Sequence, residues 1–284
     1  DALRIGSIKD GPGGGMPAYA RALATEILHL HAAGALKISH RIHLRAEICS
    51  DTLEEELDSF GPDDRVGLLS LMDHTPGQRQ FTDIGQYEAY IRGKYAVSKE
   101  DFDAYVGERI ALGDRVRDRH EAASVAAAQR LGAALASHDD TTVDHVARSA
   151  GYGITLAEFP TTGEAARACH QHGIAVMMGA PNLIRGGSHS GNVAAGDLAE
   201  AGLLDVVSSD YVPAALLGSA VKLAELWGDM ARAMATVTAA PAKAAGLIDR
   251  GRIAEGLRAD LIRFRVIEGV PVLRGVWVQG ARVA

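Results

Sequence analysis

The chain has 284 residues, enough for one large domain or two modest ones. Apolar residues make up 47% and charged residues 23%, a globular balance that excludes a disordered or collagen-like chain. A formal net charge of −7 argues against a general electrostatic grip on nucleic acid or anionic lipid, and no run of about 20 apolar residues offers a membrane span. Cys49 and Cys169 stand in dissimilar surroundings, which excludes a disulfide framework and a thiolate zinc ribbon and suits a reducing cytoplasm.

The opening stretch Asp1–Gly15 carries charge and a glycine run but no apolar signal core, and it reads like the middle of a protein. A helical pattern over Pro17–Ala33 comes first. Six short apolar runs follow: His40–Ile48, Val66–Asp73, Leu131–Ser137, Ile154–Phe159, Ile174–Met178 and Leu203–Ser208. Helical patterns lie between and after them, over Gln86–Gly93, Lys99–Gly132, Thr142–Ala150, Thr162–Gly173, Asn192–Ala201 and Ala215–Ala235. Near-continuous apolar strands alternating with amphipathic helices predict a parallel sheet with helices outside it. The last five runs end near 74, 138, 158, 182 and 210, in steps of 64, 20, 24 and 28. Three of those steps are close to the roughly 30 residues of one strand–helix unit in a (β/α)₈ barrel. The long step holds a helical insertion at about 83–130, expected as a lid or dimer element. The tail Gly251–Ala284 is rich in Gly and Val, with Gly269 and Gly280 at turn-like positions, and predicts a small antiparallel β-unit. The expected division is a barrel over 1–240 and a small β-domain segment over 241–284. Six strands are two short of a closed barrel.

Catalytic residues of a parallel barrel come from the C-terminal ends of its strands. The residues at those ends here are Glu47, Asp73-His74, His138-Asp139-Asp140, Glu158, Asn182 and Asp210. Imidazoles and carboxylates of this kind are ligands for zinc and its neighbours in open sites. In HRIHLRAE, His43, Arg45 and Glu47 alternate, so a strand points all three to one side, where burial without a task would be costly. His74 and His138 are the candidate histidine ligands. Asp73, or for the later segment Asp140 or Thr141, could instead cap a turn or helix. Gln78 and Arg79 add amide and guanidinium donors. Asp210 could orient or deprotonate a catalytic water, or cap the next helix. The segment GAPNLIRGGSHSGN holds Arg185, His189 and Asn192 among glycines, a composition that lets backbone N–H groups approach an anion while Arg pairs with phosphate. Its alternative is a flexible connection. Lys94 could reach an anion or merely be solvated. His29, His31, His120, His145, His170 and His172 fall on helical patterns and read as surface or packing residues.

Taken together, HRIHLRAE, SLMDHTPGQRQF, GKYAVS, ASHDD, AEFPTT, MGAPNLIRGGSHSGN and SSDYVPAALL resemble the phosphonate-utilisation branch of the amidohydrolase superfamily over the whole chain. That resemblance implies a distorted (β/α)₈ barrel with a small β-domain built from both chain ends. It also implies a divalent-metal centre, zinc first, with manganese or iron as alternatives. Glu47, His74, His138 and Asp210 are its implied ligands. Glu47 matches the third-strand Glu that some superfamily members, such as the N-acetylglucosamine-6-phosphate deacetylases, use in place of a carbamylated lysine. The family's first ligand pair, of His-x-Asp type, has no counterpart and is expected upstream of Asp1 with the missing strands.

The implied activity is cleavage of the α–β phosphoanhydride of a ribose 1-methylphosphonate 5-triphosphate in phosphonate catabolism. Asp210 would handle the water's proton. Arg45, Arg79, Lys94, Arg185, His189 and Asn192 would bind the small phosphorylated substrate. No nucleic acid or membrane partner is expected, a cytoplasmic homodimer is compatible with the long insertion, and two alternatives stand beside this reading. One is an amide-cleaving deacetylase or cyclic amidase on the same barrel, and the other a non-catalytic anion-binding protein.

Overall fold

The computed structural model describes residues 1–8, 17–79, 84–95, 97–188 and 191–284. They form two compact units, Asp1–Leu36 with His40–Asp139 and Lys37–Ser39 with Asp140–Ala284. Strands and helices alternate in both, so the α/β class read from the sequence is the class observed.

The first unit holds four parallel strands: β1 (Ala2–Ile5), β2 (Ile42–Glu47), β3 (Val66–Met72) and β4 (Ala134–His138). Leu3, Ile5, Ile42, Leu44, Ala46, Leu69, Leu71 and Ala136 are buried, as strands covered on both faces require. β1 is a strand beyond the six expected. It is only four residues long and Arg4 interrupts it, so its apolar signal is weak. Helix α1 (Ala20–Ala32) follows β1 and α2 (Leu53–Asp58) follows β2; the latter falls in an acidic stretch that gives no apolar periodicity. The helical insertion is two helices, α3 (Ile84–Tyr95) and α4 (Lys99–Leu131). Ser98 caps α4 by accepting from the Asp101 N–H, and Gly132 ends it in a left-handed conformation at φ 64. α4 packs against β3 and β4 through one face that includes Leu112, Val116, Ala127 and Leu131. On the same face Arg109 donates to Cys49 O, and His120 Nδ1 lies 2.7 Å from Ile48 O.

The second unit continues with α5 (Val143–Gly151) and three parallel strands, β5 (Leu156–Glu158), β6 (Ala175–Gly179) and β7 (Val206–Ser208). α6 (Gly163–Gln171) follows β5. α7 (Ala180–Arg185) and α8 (Ala195–Glu200) follow β6. Thr142 and Thr162 cap α5 and α6, each accepting from the N–H three residues on. Capping by Thr142 settles the alternatives considered for Asp140 and Thr141; Asp140 is buried instead and takes the Ser149 hydroxyl at 3.3 Å.

The helix expected over Ala215–Ala235 is two helices, α9 (Ala215–Trp227) and α10 (Met230–Ala235). Gly228 turns left-handed at φ 64, and Asp229 then caps α10 by accepting from Arg232 N at 2.9 Å. A short α11 (Ala239–Ala244) leads to an antiparallel sheet, β8 (Leu261–Ile267), β9 (Val270–Val278) and β10 (Ala281–Arg282). Its two turns are Glu268-Gly269 and Gln279-Gly280, all four residues at φ between 51 and 81, the tight-turn geometry that joins twisted strands. No helix among the described residues is long and apolar enough to cross a membrane.

One tether of the first unit is readable in isolation. Arg21 of α1 donates to both oxygens of Asp64, at 2.7 and 3.0 Å, and the Gly61 N–H donates to the same carboxylate at 2.7 Å. Partial burial disfavours the charge, but Arg21 and the Gly61 amide outweigh it and hold the Asp64 carboxyl below its usual range. A depressed acid stabilises the fold above its unfolded pKa, near 4, and loses that contribution as pH falls through the folded pKa. Asp64→Asn should therefore cost about 0.5–1 kcal/mol at pH 7, modest because Arg21 is part-exposed. Urea melts of the two proteins should converge as the pH drops below about 4.

Candidate active site

In the first unit the ends of β2, β3 and β4 bring five of the expected residues together. Glu47, only 1% exposed, accepts from the His74 N–H at 3.2 Å and from His74 Nδ1 at 2.6 Å. His138 Nδ1 lies 2.7 Å from Asp139 Oδ2, and His74 Nε2 lies 3.9 Å from that same oxygen. The two imidazoles face edge to face at 6.3 Å between centroids. Arg45 Nη2 is 2.7 Å from His138 Nε2. A guanidinium can only donate, so Nε2 is the acceptor and the ring proton sits on Nδ1, donated to Asp139. Arg79 Nη1 donates to the His138 carbonyl at 3.0 Å, and His43 pairs with Ser70 Oγ at 2.5 Å.

The charges answer one another. Burial opposes a charge on His74, but Glu47 and then Asp139 prevail and raise its pKa. Burial likewise opposes a charged Asp139, and His138, His74 and Arg45 overcome it and lower its pKa. Asp139 stood among the strand-end residues of the sequence but was given no role of its own. Its signal was present in the sequence: it directly follows the strand-end His138, and it is one of the few residue types that accept the left-handed backbone observed there, φ 57.

The turn that carries His74 is shaped from outside. Asp73 Oδ1 accepts from Thr75 N at 3.0 Å and Thr75 Oγ1 at 2.5 Å, while Oδ2 takes Arg117 Nε of α4 at 2.9 Å. Asp73 is thus a turn-forming residue. α4 can come this close only because residue 113 is glycine. A Cβ there would lie 2.7 Å from Thr75 Oγ1.

In the second unit, Asp210 follows β7 with φ 49 and an exposed side chain. It does not cap α9, whose N-cap is Ala214. Gly179, at the end of β6, leaves room for it: a Cβ there would lie 3.0 Å from Asp210 Oδ2. The segment expected as a glycine-rich loop begins as helix α7, and Arg185 closes that helix with Nη2 donating to the Tyr211 hydroxyl at 2.7 Å. The helix expected from Asn192 starts at Ala195, whose N–H is taken by Asn182 Oδ1 at 2.9 Å. Asn192 is partly buried on the connection before it. Glu158 is buried at the end of β5. His189 and the Lys94 side chain lie outside the described residues. Burial pushes the Cys49 and Cys169 thiols up to about 11 and about 12, so neither is poised as a nucleophile.

Two imidazoles and a buried carboxylate are the donor types a borderline divalent ion takes. As described, those atoms are engaged with one another and with Arg45, and no group of three His, Cys, Asp or Glu converges on one point among the described residues.

No protein-family model matches the chain. Over 286 aligned residues it is 42% identical to the alpha-D-ribose 1-methylphosphonate 5-triphosphate diphosphatase of Escherichia coli (strain K12), covering all of this chain and 75% of that one. The chain belongs to this diphosphatase family. It is a hydrolase, and the resemblance drawn from its motifs is borne out. Among solved structures it is similar to an adenine deaminase (12% identity, 92% of this chain and 75% of that chain, TM-score 0.46). It is also similar to the L-hydantoinase (dihydropyrimidinase) of Arthrobacter aurescens (14% identity, 100% and 64%, TM-score 0.34).

Gly113→Ala should force α4 away from the Thr75 turn and cost about 1–3 kcal/mol in urea unfolding, where a helix glycine replaced by alanine usually gains up to about 1 kcal/mol. An unchanged or raised stability would show that the turn yields freely.

Proposed function

We propose that this diphosphatase-family protein hydrolyses the α–β phosphoanhydride of alpha-D-ribose 1-methylphosphonate 5-triphosphate in phosphonate catabolism, acting in the cytoplasm. The observation that carries the reading is the 42% identity sustained over the entire chain. The oxygen of water bonds to the α-phosphorus, the bond from that phosphorus to the bridging oxygen breaks, and pyrophosphate leaves the ribosyl 5-phosphate behind.

Asp210 accepts the proton of the attacking water. Arg45, Arg79 and Arg185 are the proposed guanidinium donors for phosphoryl oxygens, with Asn192, His189 and Lys94 as further binding residues. Glu47, His74 and His138 would hold a divalent ion, zinc first and manganese or iron next, with Asp210 completing the proposed ligand set. When bound, the ion supplies Lewis acidity for the phosphoryl centre. The chain's own part is to orient these donors: Asp139 fixes the His138 tautomer and Asp73 the His74 turn. The amide-cleaving alternative is not favoured, since an amide substrate makes no use of several guanidiniums.

Phosphorus NMR of the ribosyl methylphosphonate triphosphate with enzyme should show pyrophosphate released, and a metal chelator should stop it. Release of orthophosphate alone would move the cleaved bond. No release with added zinc, manganese or iron would remove the assignment. Asp210→Asn should lower kcat by about a hundredfold or more with KM changed far less, and an unaltered kcat would take Asp210 out of the mechanism.

A further inference from the structure

Arg185 is exposed and closes a helix of six residues, so something must aim its guanidinium. Its backbone is held from two sides. The N–H groups of Gly186 and Gly187 both return to Asn182 O at 3.0 Å. Lys222 Nζ of α9 donates to Leu183 O at 2.8 Å. The side chain has its own tether, the 2.7 Å bond from Nη2 to the Tyr211 hydroxyl.

Tyr211 is 60% exposed, so its ring adds little to the core. It directly follows Asp210, whose backbone is fixed in the left-handed region, and the Asp210 carboxylate lies against Gly179 immediately before α7. One hydrogen bond therefore links the segment after β6 to the segment after β7. It restrains an arginine that would otherwise sample many rotamers and would lose that freedom on binding an anion.

We propose that Tyr211 is a positioning residue whose hydroxyl holds the Arg185 guanidinium in the orientation that receives the phosphate chain of the substrate. This inference rests on the phosphate-binding role proposed above for Arg185. Tyr211 touches no reacting atom. It acts on binding, through the arginine.

The test is a double-mutant cycle on the whole enzyme with Tyr211→Phe, Arg185→Gln and the pair, reading KM and kcat for the triphosphate and competitive inhibition by inorganic pyrophosphate. Tyr211→Phe should raise KM about three- to tenfold and weaken pyrophosphate inhibition in parallel, with kcat moved less than about twofold. In the Arg185→Gln background it should add nothing. An equal effect of Tyr211→Phe in both backgrounds would overturn the inference, because the hydroxyl would then act elsewhere. So would an unchanged KM in Tyr211→Phe alongside a raised KM in Arg185→Gln. If Arg185→Gln itself leaves KM and pyrophosphate inhibition unchanged, the phosphate role of Arg185 fails first and the positioning role falls with it. Tyr211→Gln, which keeps an acceptor without the ring, should recover part of the lost affinity. No recovery, with thermal melts matching the native protein, would count against the hydroxyl as the active group.

Discussion

A carboxylate buried at the end of a strand cannot stay charged without partners, and Glu47 sets that demand for the first unit. It is met by His74, whose backbone and ring nitrogen both reach the carboxylate. The demand then spreads outward. His74 can sit there only if its turn has one shape, and Asp73, Thr75 and Arg117 impose that shape. Arg117 belongs to α4, which must approach closely enough to place it, and Gly113 permits that approach. On the other side, Gly6 lets β1 run on beside Glu47, where a Cβ would lie 2.7 Å from the Glu47 carbonyl. Two glycines distant in sequence thus let the backbone close in around the cluster, Gly113 at the His74 turn and Gly6 at the Glu47 carbonyl.

The strands themselves explain why chemistry gathers where it does. Strands β3 to β7 are largely apolar along their length and become polar where they end, while β2 alternates His43, Arg45 and Glu47 with buried apolar residues. Several segments then bend through a left-handed residue that is not glycine: Asp139 directly after β4, Phe159 directly after β5, and Asp210 shortly after β7. Each such residue costs on the order of 1 kcal/mol, and strain of this kind persists where surrounding structure over-determines it. Asp139 shows the return. Its backbone turns the carboxylate onto His138, and that contact selects the proton-bearing nitrogen.

Much of this was legible before any coordinates. Near-unbroken apolar runs located six of the strands, and the residue types after them pointed to Glu47, His74 and His138, which lie together at the strand ends of the first unit. Strand edges were less well drawn, because an apolar run begins before ladder pairing does: Leu203–Ser208 yields a strand only over Val206–Ser208. β1 was too short to give a period. The Gly228-Asp229 break in the last long helix was visible in residue type but masked by apolar residues on both sides. α7 was hidden inside a segment whose glycines dominate the reading, although Pro181 in its first turn is a helix-start signal. Asp139 and Tyr211 could not be ranked from sequence, since their importance lies in which atom each one touches.

The charge balance carries the argument one step further. The chain is acidic overall, at a formal −7, yet the first-unit cluster sets Arg45 and Arg79, with His74 and His138, against Glu47 and Asp139. Of the two guanidiniums, Arg45 is engaged only through its terminal nitrogen, and its Nε is buried without a partner among the described residues. A buried donor of this kind is costly to leave unmade, and a phosphoryl oxygen is one acceptor that matches its chemistry. Net charge therefore says little about which ions the protein takes. A few desolvated donors can outweigh it locally.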